Sequence, residues 1–372
     1  MKALILYTNT GGGHGSAARA AAEALTELDV EVRLLDILEA AGGKISDRVS
    51  KIYNAAVRGK PRIFGLFYNA GKKVSKANKR SVIYRLNSLY AARLNSIVRE
   101  EQPHIILCTH LFAGQAITNI KRKFGLSSVT SAIITDYTYS PMWEETSLDY
   151  YFIPHEELRQ QFVEKRMPSE KFFAMGMPVS SVFRENADKR TAKLKLEYDP
   201  DKFHALVTGG SMGAGNIFET VVKLSQAEKE MEITVICGSN RKVYDRLKAL
   251  NLKENIRILQ MTDRMAELMG CADVIISKPG GLTSTEAMTK GLPFIIITPI
   301  PGGEADNCDF FIKHGMAVHS KSAEETIQLC RLFKDNPQAA RDMIFVQRKN
   351  IYPDSGRNIA RFLIEKAEVG RG

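Results

Sequence analysis

The sequence predicts an α/β protein built from two doubly wound parallel sheets, and three observations predict it. Apolar runs of strand length alternate with helical patterns throughout the 372-residue chain. Strands that alternate with helices form parallel sheets covered on both faces. The length is too great for one compact core and suits two domains of ordinary size. Glycine-rich loops also follow strand patterns directly in both halves, which is where doubly wound sheets bind ligands.

In the first half, strands are expected at Ala3–Thr8, Glu31–Asp36, His104–Thr109, Ser131–Asp136, Tyr150–Ile153 and Phe172–Met175. In the second half they are expected at Phe203–Thr208, Glu232–Cys237, Ile256–Gln260, Val274–Ser277, Phe294–Thr298 and Met316–His319. Between the sets, Glu185–Lys202 is charged and shows no convincing apolar face, so it reads as the linker region. The resulting division is a first domain over 1–185, a linker over 186–202, a second domain over 203–350 and a final helical segment over 351–372. No repeat or low-complexity tract interrupts this order.

Composition narrows the function classes. Apolar residues make up 44% and charged residues 25%, as in soluble globular proteins. No run of about 18 apolar residues occurs, so no membrane-spanning helix is expected. The chain enters a strand pattern at once, so no signal peptide is expected. Five scattered cysteines (108, 237, 271, 308, 330) lack CxxC spacing, which disfavours a disulfide framework or a zinc site and fits a reducing cytoplasm. The net charge of +10 is localised. Residues 1–43 are net −3, whereas residues 44–100 carry fourteen basic and two acidic groups, net +12. Such a segment is drawn to polyanions, whether nucleic acid or an anionic membrane surface.

Four loops carry the chemical signal. In the first, Gly13-His14-Gly15-Ser16-Ala17-Ala18 fits G-x-G-x-x-A after a strand, and the next strand ends in Asp36, formally a dinucleotide fingerprint. The middle position is an imidazole, where phosphate loops prefer something small. His14 is either a cap of the following helix or a base kept neutral by the helix dipole. The second loop, Thr208–Asn216, contains Gly210, Ser211, Met212 and Gly213. It is either a plain strand–helix turn or a backbone cradle for phosphate. In the third, Ser277–Pro293, Lys278 and Pro279-Gly280-Gly281 precede a helix that Gly291 should stop. Thr283 and Glu286 form T-x-x-E, either a capping box or a carboxylate reaching a ribose. In the fourth, Pro299–Asn307, Glu304 and Asn307 lie about one helical turn apart, suited to sugar hydroxyls or to ordinary capping. Asp199-Pro200-Asp201 is the one D-x-D and reads as a turn. Asp136 at its strand end either orients an acceptor, assists His14 or caps a helix.

Taken together, "GGGHGSAARAAAEAL", "TDY" with Trp143, "GMPV", "GGSMG", "SKPGGLTSTEAMTKGLP" and "PGGEADN" occur in the order found in one family. The chain resembles the monogalactosyldiacylglycerol synthases and the bacterial processive diacylglycerol glucosyltransferases, relatives of the peptidoglycan N-acetylglucosaminyltransferase. The resemblance implies a GT-B fold, two Rossmann-like domains facing a central cleft, with the last helix crossing back to the first. It implies an inverting transfer of a hexose, glucose or galactose, from a UDP-sugar to the hydroxyl of diacylglycerol. His14 resembles the proposed base. Gly280, Gly281, Leu282 and Thr283 would meet the diphosphate, Glu286 the ribose, and Glu304 and Asn307 the donor sugar. Gly303 stands where the bacterial lipid enzymes often carry glutamine, which removes one sugar contact. Helix amino ends and Lys278 suffice for a departing UDP, so no metal or other cofactor is expected.

The basic segment then has a use. Phe64, Phe67 and Tyr68 lie beside Lys72 and Lys73, an aromatic and cationic mixture suited to a membrane surface. With Trp143 they form the expected acceptor and membrane contacts, on the inner face of the cell membrane. No nucleic-acid module is seen, so nucleic acid is not an expected partner. Three alternatives stand beside this reading: transfer of N-acetylglucosamine to an undecaprenyl-linked peptidoglycan precursor, a non-enzymatic sensor of UDP-sugar and lipid, and a dinucleotide oxidoreductase. The last is disfavoured because the second half carries its own anion loops.

Overall fold

A computed structural model describes residues 1–8, 12–40, 81, 84, 91–185 and 188–370. It divides into two units. The first comprises Met1–Ser180, Pro301–Gly303 and Tyr352–Gly372, and the second Ser181–Ile300 and Glu304–Ile351.

Among the described residues, the first unit holds strands β1 (Lys2–Tyr7), β2 (Glu31–Asp36), β3 (Ile105–Cys108), β4 (Val129–Ile133), β5 (Tyr150–Ile153) and β6 (Phe172–Ala174). They form one parallel sheet in the order β2-β1-β3-β4-β5-β6. The second holds β7 (His204–Thr208), β8 (Glu232–Ile236), β9 (Ile256–Leu259), β10 (Val274–Ser277), β11 (Phe294–Ile297) and β12 (Val318–Ser320), in the order β12-β11-β10-β7-β8-β9. Strands β3, β7, β10 and β11 are buried along their whole length, as helices on both faces require. All twelve strands lie where the apolar runs place them, within three residues at either end.

One boundary differs for a visible reason. β4 begins two residues early because Asp149 clamps Thr130, accepting from its amide at 2.9 Å and its hydroxyl at 2.7 Å. These polar residues thereby enter the sheet with their hydrogen bonds met, and Asp136 lies past the strand rather than at its end.

In the first unit, helix α1 (Gly13–Thr26) packs on the carboxyl-terminal helix Ser355–Val369. Ala18, Ala21, Ala22 and Ala24 meet Ile359, Ala360, Leu363 and Ala367 in one buried cluster. Alanine is a strong helix former and its small side chain lets two helices approach closely, which explains the alanine-rich run.

The stretch 186–202, expected as a linker, is instead packed into the second unit where it is described. Asp188 caps a helix over Lys189–Lys195, accepting from the Thr191 amide at 2.9 Å. Lys193, only 4% exposed, donates to Asp273 at 2.8 Å and to the Lys202 carbonyl at 2.6 Å. Tyr198 is buried with its hydroxyl on Thr234. A lysine that buries its stem and meets its charge internally left no apolar face to read. The D-x-D forms a turn in which Asp199 accepts from the Asp201 amide at 3.0 Å.

Candidate active site

In an open parallel sheet, ligands bind at the point where strand order reverses. Each unit has one such point: between β1 and β3 in the first, between β7 and β10 in the second.

At the first, the loops after β1 and β3 bring two histidines together. His14 is the second residue of α1, and its Nδ1 donates to the Thr109 carbonyl at 2.8 Å, with Thr135 Oγ1 at 3.0 Å. The Thr109 hydroxyl donates back to the His14 carbonyl at 3.0 Å. A carbonyl only accepts, so Nδ1 carries the proton and Nε2 presents a lone pair. Burial pushes the imidazole below its ordinary pKa, against the charge of Asp136 and the Thr109 hydrogen bond, which favour protonation. The neutrality expected from a helix dipole thus has burial as its main cause.

His110 packs edge-on against His14, with ring centroids 4.5 Å apart. Its Nδ1 accepts from the Phe112 amide at 3.1 Å, capping helix Leu111–Phe124, so its proton sits on Nε2. Burial and the neighbouring His14 hold it neutral. The two rings therefore have opposite tautomers, one offering an acceptor and the other a donor. Sequence reasoning missed His110, Thr109 and Thr135. The available signal was topological, since a sheet reversing between β1 and β3 sets the loops after those strands side by side.

The dinucleotide fingerprint dissolves here. Gly13 and Gly15 lie within the first turn of α1, not in the loop before it. Asp36 is buried, and its Oδ1 accepts from the Leu38 amide at 2.9 Å at the start of the next short helix.

At the second point, loops after β7, β10 and β11 converge on Lys278. A Cβ added at Gly210 would lie 3.2 Å from Lys278 Cε, and one at Gly280 would lie 3.8 Å from its Nζ. Lys278 Nζ donates to Glu304, both largely buried, while the other oxygen of Glu304 accepts from the Ile300 amide at 3.2 Å. Helix Gly281–Lys290 follows, with no side-chain cap at its start and Gly291 stopping it in the left-handed conformation. The amides of Gly281, Leu282 and Thr283, in the first turn, have no intrahelical acceptor. Thr283 is the third helical residue, not the cap, so the capping box read from T-x-x-E does not form. Glu286 is half-buried on the second turn.

Asn307 departs from expectation, and the loop Gly210–Gly213 commits part of its backbone to its own turn. Asn307 is fully buried and its Nδ2 donates to the Pro279 carbonyl at 3.0 Å, so it holds the Pro-Gly-Gly loop in place rather than facing a sugar. The loop Gly210–Gly213 is also bound to itself and its neighbours. The amides of Gly210, Gly213 and Ala214 are committed to Thr208, Gly210 and Gly209, and the Ser211 carbonyl accepts from the Ser239 amide at 2.8 Å. Met212 is buried. Gly213 has φ +59°, and a Cβ there would lie 1.9 Å from the Cys237 carbonyl oxygen. The glycines serve a tight turn that brings Gly210 close to Lys278.

Trp143 is 5% exposed and stacks edge-on against Tyr151, with a Cβ at Gly114 falling 3.1 Å from its ring. It is a core residue, not an acceptor contact. Phe64, Phe67, Tyr68, Lys72 and Lys73 lie outside the described residues. Among the described residues no helix is long and apolar enough to cross a membrane.

Two Rossmann-like units, each with its candidate chemistry at the sheet reversal, define the class as a GT-B-type protein. The calicheamicin glycosyltransferase CalG4 shares the fold at TM-score 0.66 and 13% identity, covering 99% of this chain and 98% of that one. A UDP-GlcNAc 2-epimerase from Neisseria meningitidis, bound to UDP-GlcNAc, shares it at TM-score 0.63 and 13% identity over 98% and 100%. Fold alone therefore does not separate transferase from epimerase; sequence does. Residues 14–179 match the monogalactosyldiacylglycerol (MGDG) synthase family and residues 204–332 the glycosyltransferase family 28 C-terminal domain. Between them, the two matches make the chain similar to these glycosyltransferases over most of its length. A processive diacylglycerol β-glucosyltransferase of Bacillus licheniformis is 25% identical over 98% of this chain and 95% of its own length. That of Staphylococcus carnosus is 27% identical over 88% and 83%.

Proposed function

We propose that the protein transfers a hexose from a UDP-sugar to the hydroxyl of diacylglycerol at a membrane surface, with inversion at the anomeric carbon. The single observation that carries the mechanism is the tautomer of His14, whose Nδ1 is committed to Thr109 so that Nε2 is free to accept a proton. In one displacement the acceptor oxygen bonds to the anomeric carbon, the bond from that carbon to UDP breaks, and the hydroxyl proton passes to His14 Nε2. The charge on departing UDP is met by Lys278 and by the amides opening helix Gly281–Lys290. Glu286 holds the ribose. This chemistry calls for no metal or cofactor. The names of the relatives support a glucosyl group and a diacylglycerol acceptor, the UDP-GlcNAc held by a neighbour of the same fold supports a UDP-sugar donor, and the basic segment 44–100 supports a peripheral site on an anionic, cytoplasmic-side membrane surface.

Incubation with diacylglycerol vesicles and a panel of UDP-sugars, with product lipids analysed by mass, tests the reading. A hexosyl-diacylglycerol is the expected product. Transfer only to an undecaprenyl-linked acceptor supports the peptidoglycan alternative, and binding without any product the sensor. Reversing charge at Lys72, Lys73, Lys76, Lys79 and Arg80 should release the protein from anionic vesicles, at about 1 kcal/mol per residue near the surface. Unchanged sedimentation with those vesicles removes the membrane role of the segment.

A further inference from the structure

The Lys278–Glu304 pair occupies the place where the proposed donor's diphosphate is received. Lys278 emerges at the end of β10, and its amine is bordered by Gly210 and Gly280, neither of which has a side chain to crowd it. The adjoining helix start, with its unclaimed amides, has no side-chain cap. Every feature there suits an anion, and the anion present is the chain's own Glu304, 17% exposed against 12% for Lys278. Its second oxygen is held by the Ile300 amide at 3.2 Å, which ties the carboxylate to the loop after β11.

We infer that Glu304 is an internal counter-ion that competes with the donor's diphosphate for Lys278 and so sets donor affinity; this rests on the UDP-sugar reading above. Without nucleotide, the ammonium keeps a partner and is not left buried alone, which would be costly. When a diphosphate arrives, Lys278 changes partner, and Glu304 is released towards the sugar end of the same ligand. The pair thereby lowers affinity for UDP as product, because UDP lacks a sugar to engage the released carboxylate. Affinity for a ligand that must displace an internal partner is reduced by the cost of that displacement.

Calorimetric titration of UDP into the full chain and its Glu304→Gln and Lys278→Gln variants tests this, with thermal unfolding checking that each variant is folded. Glu304→Gln should bind UDP about tenfold more tightly, and Lys278→Gln about tenfold more weakly, within the usual range of coupling between sites. In the double variant, the gain from Glu304→Gln should vanish, because the partner it competes for is gone. A Glu304→Gln variant that is folded but binds UDP equally or more weakly overturns the competition while leaving the donor site standing. Wild-type protein that binds neither UDP nor any UDP-sugar overturns the donor reading itself, and the inference with it.

Discussion

At the reversal of the first sheet stands a pair of neutral imidazoles, wedged between loops and fixed in tautomer by backbone groups. At the reversal of the second stands an ammonium bordered by glycines and paired with a carboxylate. The topology is alike in both, β1 beside β3 and β7 beside β10, yet the chemistry is opposite. Packing side chains against a ring strips it of water and disfavours its charged form. Leaving glycines around a lysine keeps room for an anion. One fold thus sets a neutral imidazole pair at one reversal and a glycine-bordered ammonium at the other, the two kinds of group on which the proposed transfer draws.

Breaking the first crevice should have the largest effect. His14→Ala should lower turnover by about 10²–10⁴, the usual worth of a general base, with UDP affinity unchanged. Steady-state kinetics beside calorimetry measure the two quantities. Near-normal turnover would reduce His14 to a helix cap and turn attention to Asp136.

Next in size is Gly213→Ala. Its Cβ would meet the Cys237 carbonyl oxygen at 1.9 Å, at a φ of +59°. Strain and overpacking together should cost about 2–4 kcal/mol of stability. The urea midpoint reports it, and a shift below about 1 kcal/mol would mean the loop relaxes freely.

A third, comparable effect comes from acid. Burial pushes His204, fully buried as the first residue of β7, down to a pKa of about 4. The unfolded chain binds this proton near pH 6.5, so the stability that neutral His204 contributes is full above 6.5. It is lost as pH falls towards 4, on the order of 3 kcal/mol in all. His204→Gln should flatten the urea midpoint between pH 7.5 and pH 5. An equally steep dependence in the variant would assign the loss to other groups.

The smallest expected effect separates capping from catalysis. Asp36→Ala removes the carboxylate that accepts from the Leu38 amide, costing about 0.5–2 kcal/mol of stability with turnover per folded molecule unchanged. A selective fall in kcat would restore a ligand role for Asp36.

Periodicity and composition determined the twelve strands, the two-sheet architecture and the loops that matter. Those follow from local rules: an apolar run of strand length bounded by glycines has few other fates. His14, Lys278, Gly280 and Glu304 were legible because they lie where a strand hands over to the following helix. Tertiary structure alone decided what each side chain spends its polar atoms on. Asn307 is committed to Pro279 and Asp36 to Leu38, Trp143 is sealed against Gly114, and His110 is set beside His14 by a contact spanning 96 residues of chain. Lys193 is buried only because Asp273, eighty residues away, meets its charge. Hydrogen bonds and desolvation are settled by neighbours in space. A side chain's chemistry is therefore open until the sheet order brings its partners to it.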